Sequence, residues 1–195
     1  MDADRLVGGP LTFVCATRTE ARAARRAGLR TVVVGIGARG ALPDGPLVSF
    51  GLAGALREGI ECGEVLDAVR VVDMDGATLW EGDPLGVTGA RAVTMLAADR
   101  VVDDVEGRRL LHTRTGADAA DMESGVLART GRLAGCVRAV SDTPSRPLGP
   151  LATAVDEQGS LSLRGMAGLL ARPRSTWSSL LEVRRALRSL EGVAA

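Results

Sequence analysis

The sequence predicts an α/β fold in a single domain, with a mixed, mostly parallel central sheet flanked by helices. Short runs that are apolar on both faces alternate along the chain with helix-like and glycine-rich segments. Such runs are typical of strands in a sheet that helices cover on both sides. The 195 residues are 46% hydrophobic and 25% charged, a composition that fits a globular domain and excludes a disordered chain.

Six apolar runs are predicted as strands: Leu11–Ala16, Thr31–Val34, Leu47–Phe50, Val65–Val72, Ala92–Leu96 and Cys136–Val140. Helices are predicted over Thr19–Ala27, Met122–Arg132 and Ser175–Leu190, and Thr143–Ser160 is predicted as a loop. The chain is shortened after the second strand, because residues 38–46 contain two prolines and leave room for little more than one helical turn. We expect residues 1–195 to form the domain, with the functional site in 11–142 and a loop and helical C-terminal tail in 143–195.

Charge and cysteine content exclude several classes of protein. The formal net charge is 0, which gives no general attraction to nucleic acid or anionic lipid. The three cysteines form no closely spaced pair, so neither a zinc site nor a disulfide framework is predicted. No signal peptide is visible, and no run approaches the roughly 18 apolar residues of a membrane helix. We therefore expect a cytoplasmic protein with no nucleic-acid partner and no membrane span.

Ligands of such sheets usually bind at the carboxyl ends of the strands, and the first strand is followed by a Thr-x-x-Glu motif. Thr17 and Glu20 fit a capping box, in which each side chain bonds the backbone of the other residue. The same segment can also present Glu20 to a ligand, with Arg18 or Arg22 facing an anion near the helix N-terminus. The two interpretations are compatible, and the sequence leaves both open.

Glycine-rich segments follow the second and third strands. Gly35-Ile36-Gly37 and Ser49-Phe50-Gly51-Leu52-Ala53-Gly54 can each be a turn, or a place where a ligand lies close to the backbone. Neither segment is followed by Lys-Ser or Lys-Thr, so neither is a phosphate-binding P-loop.

The most informative segments are Asp121-Met122-Glu123-Ser124 and Ser141-Asp142, which place acidic residues at the ends of two strands. Carboxylates are common at helix starts, and an aspartate before a proline often forms a turn. Either segment alone would need no further explanation. Together with the small-residue loops, they predict a shared functional site.

These segments, in this order, resemble the superfamily of nucleoside phosphorylases and methylthioadenosine/S-adenosylhomocysteine nucleosidases. Within it, the chain is most similar to the hopanoid-associated phosphorylases, which are proposed to release adenine from adenosylhopane. The C-terminal part carries this finer likeness, through Pro147-Leu148, Asp156 with Gly159, and Leu169-Leu170-Ala171-Arg172-Pro173-Arg174. The resemblance covers roughly residues 11–190 and implies a nucleoside phosphorylase-like fold.

The resemblance implies an enzyme that cleaves the N-glycosidic bond of a 5′-substituted adenine nucleoside, as a homodimer and without a metal or organic cofactor. Asp142 would protonate N7 of adenine. Glu123 would accept hydrogen bonds from the ribose hydroxyls and stabilise positive charge at the anomeric carbon. Glu20 would position water in a hydrolytic reaction. The implied substrate-binding residues are Met122, Ser141, Gly51, Gly37 and Ala53.

The resemblance leaves the nucleophile open. The hopanoid-associated subgroup favours phosphorolysis, with inorganic phosphate as co-substrate and Arg18, Arg22 and Arg39 as its candidate ligands. Glu20 favours water, and with it the hydrolysis of methylthioadenosine or S-adenosylhomocysteine. Ser49 and Leu52 stand where many phosphorylases have Arg and Ser, and the family's helix between the second and third strands is missing. A non-catalytic nucleoside-binding relative is the third interpretation.

Overall fold

The computed structural model describes residues 10–149 and 173–193 of the chain. In this part the chain forms eight strands and four helices. The strands are β1 (Thr12–Cys15), β2 (Thr31–Val33), β3 (Leu47–Ala55), β4 (Val65–Val72), β5 (Thr78–Glu81), β6 (Arg91–Ala97), β7 (Ala119–Asp121) and β8 (Leu133–Asp142). The helices are α1 (Arg18–Arg26), α2 (Val105–Thr115), α3 (Ser124–Arg129) and α4 (Pro173–Glu191).

All eight strands belong to one mixed sheet with the order β2-β1-β3-β7-β6-β4-β5, and β8 pairs with both β3 and β4. The pairings β3–β8, β8–β4, β4–β6, β6–β7 and β7–β3 close five strands into a ring. Five of the eight pairings in the described residues are parallel. The predicted α/β class with a mixed, mostly parallel sheet is therefore confirmed.

The ring closes because β3 is long enough to pair with different strands along one edge. Its first residues pair with β1, and its last two pair with β7. At this end Gly54 stands opposite Asp142 of β8 on one side and Ala120 of β7 on the other. The register of β3 and β8 shifts at Ala53/Gly54, as expected at a β-bulge. The segment that follows β7 and the end of β8 are thus brought together around the end of β3.

Helices cover the sheet through two main apolar clusters. One cluster joins alanines of α1 and the C-terminal half of α4 to the face of the sheet that carries Phe13 and Phe50. The rings of these two phenylalanines meet edge to face, with centroids 5.7 Å apart. The other cluster joins Leu127 of α3 to the opposite set of strand residues, including Leu66. Within the described residues, no helix combines the length and the apolar character needed to cross a bilayer.

The predicted strands are all present, and Val65–Val72 has the predicted bounds, but β3 and β8 extend further than their apolar runs indicated. The short strands β5 and β7 and the helix α2 were not predicted. The helix predicted over Met122–Arg132 is shorter: α3 begins after Glu123 and ends at Arg129, before a turn in which Gly131 has a φ of 69°. Residues 38–46 form no helix, as expected. Part of the predicted loop Thr143–Ser160, and most of the C-terminal pattern quoted above, lie outside the described residues.

The packing of the sheet generates a prediction about stability. Leu66 of β4 is fully buried, so Leu66→Ala should lower the free energy of unfolding by about 2–5 kcal/mol, through lost burial and a residual cavity. Leu110 of α2 is 61% exposed, so Leu110→Ala should change the free energy of unfolding by less than about 0.5 kcal/mol. Urea unfolding of both variants measures the difference, and equal losses would contradict this assignment of the core.

Candidate active site

A cleft of about 180 Å³ opens where the ends of β1, β3, β7 and β8 meet. Four carboxylate residues line it: Glu20, Asp121, Glu123 and Asp142. Most of the remaining wall is aliphatic and includes Ile36, Leu52, Val101, Val102 and Leu148. The cleft therefore places several acidic groups in apolar surroundings, where charge interacts strongly because little water screens it.

Glu20 forms the predicted capping box and also lines the cleft. Its Oε2 accepts hydrogen bonds from the N–H (2.7 Å) and the hydroxyl (2.9 Å) of Thr17, while the Thr17 hydroxyl accepts from the Glu20 N–H at 3.2 Å. This is a complete capping box at the start of α1. Oε1 of Glu20 accepts from the Leu52 N–H at 3.0 Å, which ties the carboxylate to β3 in the wall of the cleft.

Arg138 of β8 is the buried cation behind this wall, and the sequence analysis did not identify it. Its guanidinium forms an ion pair with Asp121 and a second one with Glu123, whose Oε2 lies 3.3 Å from Nη2. The same guanidinium donates a hydrogen bond to the Ser49 hydroxyl at 2.5 Å. An arginine within the apolar run Cys136–Val140 was a detectable signal, because a buried guanidinium needs carboxylate partners.

Gly51 of β3 leaves room for the side chains of Glu20 and Arg138, because it has no side chain of its own. Gly51 stands opposite Arg138 in the sheet. A Cβ at Gly51 would overlap the Glu20 carboxylate and lie 2.7 Å from Nη1 of Arg138. Gly51 is not in the wall of the cleft, so its role in the described structure is to admit Glu20 and Arg138 rather than to contact a ligand.

Glu123 stands at the N-terminal end of α3 and accepts a hydrogen bond from the Gly37 N–H at 2.9 Å. Gly35 and Gly37 have φ values of 81° and 70°, so this loop turns in a conformation that glycine adopts without strain. The glycine loop is thus a tight turn that delivers an amide to Glu123. Burial raises the pKa of Glu123 to about 7; the charges of Asp121 and Glu20 add to this, while Arg138 and the Gly37 N–H oppose it.

Asp142 ends β8, and both of its carboxylate oxygens have partners. Oδ1 lies 2.5 Å from the Ser141 hydroxyl, and Oδ2 pairs with the guanidinium of Arg108 from α2. Arg108 also donates to the Ala55 carbonyl at 2.8 Å. Burial raises the pKa of Asp142, against the opposing effects of Arg108 and Ser141. Asp142 therefore keeps its proton to a higher pH than an ordinary aspartate does.

The surroundings of Asp142 accommodate it both with and without a proton. When it is ionised, the Ser141 hydroxyl donates to Oδ1. When Oδ1 carries a proton, it can donate to the Ser141 oxygen, whose own hydrogen can turn to the Ala53 carbonyl 3.2 Å away. Arg108 remains on Oδ2 in both states. Rotation of one hydroxyl therefore lets Asp142 hold or release a proton on Oδ1.

Arg108 lies in a part of the chain whose charges resemble those of an exposed helix. Acidic residues are followed by basic residues from 103 to 109, a pattern typical of a solvated face with ion pairs inside the helix. Arg109 and Glu106 do form such a pair on the surface, with 2.7 Å between them. Arg108 is only 1% exposed and reaches Asp142, because its position on the helix turns it inward.

The structure separates the predicted phosphate ligands from the cleft. Arg18 and Arg22 line a different groove, together with Arg25 and Arg26 of the same helix. The fold therefore does not bring Arg18 and Arg22 to Glu123 and Asp142.

A second groove of about 750 Å³ adjoins the cleft. Met122 and Ile36 line both, and so does Arg100, which the sequence analysis did not single out. Gly37 and Arg39 line the second groove only, whereas Ala53 and Ser141 line the cleft. Met122 therefore stands where a ligand in the cleft could extend into the larger groove.

No protein-family model and no curated protein matches the sequence. Solved structures share its fold. A 5′-methylthioadenosine/S-adenosylhomocysteine nucleosidase from Neisseria meningitidis, in complex with methylthio-immucillin-A, has a TM-score of 0.58 at 17% identity, covering 94% of this chain and 97% of that chain. The 5′-methylthioadenosine nucleosidase of Arabidopsis thaliana has a TM-score of 0.56 at 15% identity, covering 94% of this chain and 92% of that chain. Futalosine hydrolase of Helicobacter pylori has a TM-score of 0.55 at 13% identity, covering 94% of this chain and 96% of that chain. The likeness supports the predicted fold class.

The raised pKa of Glu123 predicts how stability depends on pH. Because this pKa rises from 4.5 to about 7 on folding, the folded state binds the proton more tightly than the unfolded chain does. The stabilisation is complete below pH 4.5 and is lost as the pH rises to about 7. Glu123→Gln keeps an acceptor for the Gly37 N–H but does not titrate.

Urea unfolding of both proteins between about pH 4.5 and pH 8 tests this linkage. The free energy of unfolding of the unmodified protein, minus that of Glu123→Gln, should fall as the pH rises across this range. A difference that stays constant or increases would contradict the proposed environment of Glu123.

Proposed function

We propose that this protein cleaves the N-glycosidic bond of an adenine nucleoside. One observation carries the proposal: Glu123 and Asp142 are buried acids with raised pKa values, and they line the same aliphatic cleft. Acids with perturbed pKa values in a cleft are frequent in active sites. The shared fold supports the proposal, because the proteins that have it include nucleosidases of adenine nucleosides.

The proposed chemistry assigns a separate role to each acid. When the bond between base and ribose breaks, the electron pair goes to the base and positive charge develops on the sugar. Asp142 donates its Oδ1 proton to N7 of the base, so the base does not leave as an anion. Glu123 accepts hydrogen bonds from the ribose hydroxyls, and its negative charge stabilises the cationic sugar. The aliphatic wall strengthens both effects by excluding water.

We propose water as the nucleophile, which makes the reaction a hydrolysis. Glu20 lines the cleft and can orient a water molecule and accept its proton as the water oxygen bonds to the anomeric carbon. Glu20, Asp121 and Glu123 carry more negative charge than Arg138 balances, and this excess would repel phosphate. The guanidinium groups of Arg108 and Arg138 are already paired with carboxylates, and Arg18 and Arg22 line another groove.

Phosphorolysis is the second candidate, and the position of Arg100 favours it. Arg100 lines both the cleft and the adjoining groove, and Arg39 lines that groove as well. A phosphate ion held between these residues would stand beside Met122, on the side of the cleft where Glu123 lies.

The adjoining groove is the proposed place for the 5′ substituent. The resemblance to hopanoid-associated phosphorylases makes adenosylhopane a candidate, with a role in hopanoid biosynthesis. However, the groove is lined by charged residues of both signs, among them Arg100, Arg129, Asp73 and Asp99. This lining favours a small or polar substituent, as in methylthioadenosine or S-adenosylhomocysteine, over a polycyclic hydrocarbon.

The homodimer that the resemblance implies remains a prediction, which light scattering can test.

Release of free adenine is the direct test of this function. The purified protein is incubated with adenosine, methylthioadenosine, S-adenosylhomocysteine and adenosylhopane, each with and without phosphate, and adenine is measured by chromatography. Hydrolysis predicts release that does not depend on phosphate, whereas phosphorolysis predicts release that requires it. Binding of every nucleoside without any release would contradict the enzymatic proposal and identify a nucleoside-binding protein.

Asp142→Asn tests the proton donor. Asparagine keeps the size of the side chain but cannot give a proton to N7, so kcat should fall by about 100-fold or more while nucleoside affinity changes little. Asp44→Asn is a matched control, because Asp44 lies on the surface away from the cleft. Steady-state rates and calorimetric titration measure the two effects. Unchanged turnover in Asp142→Asn would contradict the role of Asp142.

A further inference from the structure

Residues 143–149, which follow β8, form a loop beside the cleft, and one side chain binds the backbone of the last two of them. The side chain of Leu148 lines the cleft. The backbone N–H groups of Leu148 and Gly149 donate to the two carboxylate oxygens of Asp103, at 2.9 and 3.0 Å. The loop is also held at Arg146, which pairs with Glu182 of α4 at 2.7 Å. Asp103 thus anchors the part of the loop that lines the cleft.

Asp103 also stands beside the ion pair of the proposed acid. Its Oδ1 lies 3.6 Å from Nη2 of Arg108, and the same nitrogen pairs with Asp142. One guanidinium nitrogen therefore lies between two carboxylates. The oxygen of Asp103 that faces it is also the one that accepts the N–H of Leu148.

We propose that Asp103 is a positioning residue that links closure of the 143–149 loop to the Arg108–Asp142 ion pair. This proposal rests on the function proposed above, because it concerns how the acid is prepared for proton transfer. Each N–H that the loop donates reduces the negative charge that Asp103 presents to Arg108. With the loop in place, Arg108 interacts mainly with Asp142; without it, Asp103 competes for Arg108.

This competition gives the loop control over the acid. A guanidinium held on Oδ2 stabilises the ionised form of Asp142, which makes the protonated form a stronger acid. Closure of the loop would therefore strengthen Asp142 as a donor at the time when the cleft is covered. By reciprocity, ionisation of Asp142 would stabilise the closed loop.

The other charged groups near Asp142 must stay constant in a test of this link. Besides Arg108 and Asp103, Cys62 approaches from the turn before β4, with Sγ 3.8 Å from the Ser141 carbonyl oxygen. The remaining charged residues in the wall of the same cleft are Glu20, Arg100, Asp121 and Glu123. Substitutions at Asp103 and Leu148 leave all of these groups in place.

Two substitutions should move the pKa of Asp142 in opposite directions. Asp103→Asn removes the competing charge, so this pKa should fall by about 0.5 or more. Leu148→Pro removes the N–H that Asp103 accepts, so Asp103 competes more strongly for Arg108 and the pKa should rise. Leu148→Ala keeps the N–H and controls for the lost side chain, and Glu106→Gln controls for a charge change at an exposed site on α2.

The pKa is measured on the free protein by NMR titration of the carboxyl carbons, with the Asp142 signal assigned from its loss in Asp142→Asn. Amide hydrogen exchange is measured in parallel. In Asp103→Asn the amides of Leu148 and Gly149 should exchange about tenfold faster, while the Leu127 amide is unchanged. Glu106→Gln should leave the pKa of Asp142 unchanged, and Leu148→Ala, which removes part of the apolar wall of the cleft, should not raise it.

The link is overturned if Asp103→Asn leaves the pKa of Asp142 unchanged, if it leaves the two amides unchanged, or if Leu148→Pro lowers that pKa relative to Leu148→Ala. These measurements need no turnover, so they separate the two proposals. If the pKa values shift as expected but no adenine is released from any nucleoside, the proposed function fails and the link stands. If adenine is released but the pKa values do not shift, the link alone fails.

Discussion

The structure depends on one buried positive charge, that of Arg138. A guanidinium removed from water is costly unless carboxylates compensate it, so Arg138 requires Asp121 and Glu123 beside it. This requirement connects β8 to the end of β7 and the start of α3, the two elements that precede it in the chain. It also explains Gly51, since a side chain there would occupy the space of the charged groups. The strands of the ring are thus held together by the ion pairs of Arg138 with Asp121 and Glu123, as well as by apolar packing.

The same group of charges prepares the cleft for its proposed chemistry. Glu20, Asp121 and Glu123 surround a single arginine, so the carboxylates outnumber the cation in a place with little water. Burial raises the pKa of Glu123, and the negative charges of Asp121 and Glu20 add to this effect. An environment that disfavours a further negative charge favours a positive one, and a sugar that loses its base becomes positive. The electrostatics of the folded protein and those of the proposed transition state are therefore complementary.

The sequence predicted the parts of the fold and the site whose signals are local. Apolar runs identified six of the eight described strands or their centres, and acidic residues at strand ends identified Glu123 and Asp142 as candidates for one site. It did not predict β7, because Ala119–Asp121 contains none of the β-branched or aromatic residues that indicate a strand, whereas the equally short β2 is Thr-Val-Val. Arg108 was missed because it lies in a run of charges that resembles an exposed helix, and only the fold brings it to Asp142. Arg18 and Arg22 follow a strand that ends near the cleft, but α1 turns them toward another groove.

The central claim is that one cleft holds a nucleoside with its base at Asp142 and its ribose at Glu123. A crystal structure of the protein with methylthio-immucillin-A, the ligand of the similar nucleosidase from Neisseria meningitidis, tests this claim most directly. We predict that the base lies within hydrogen-bond distance of Asp142, that the sugar hydroxyls contact Glu123, and that the 5′ group passes Met122 toward the larger groove. Binding outside the cleft, or a cleft that stays closed by Leu148 at saturating ligand, would contradict the account.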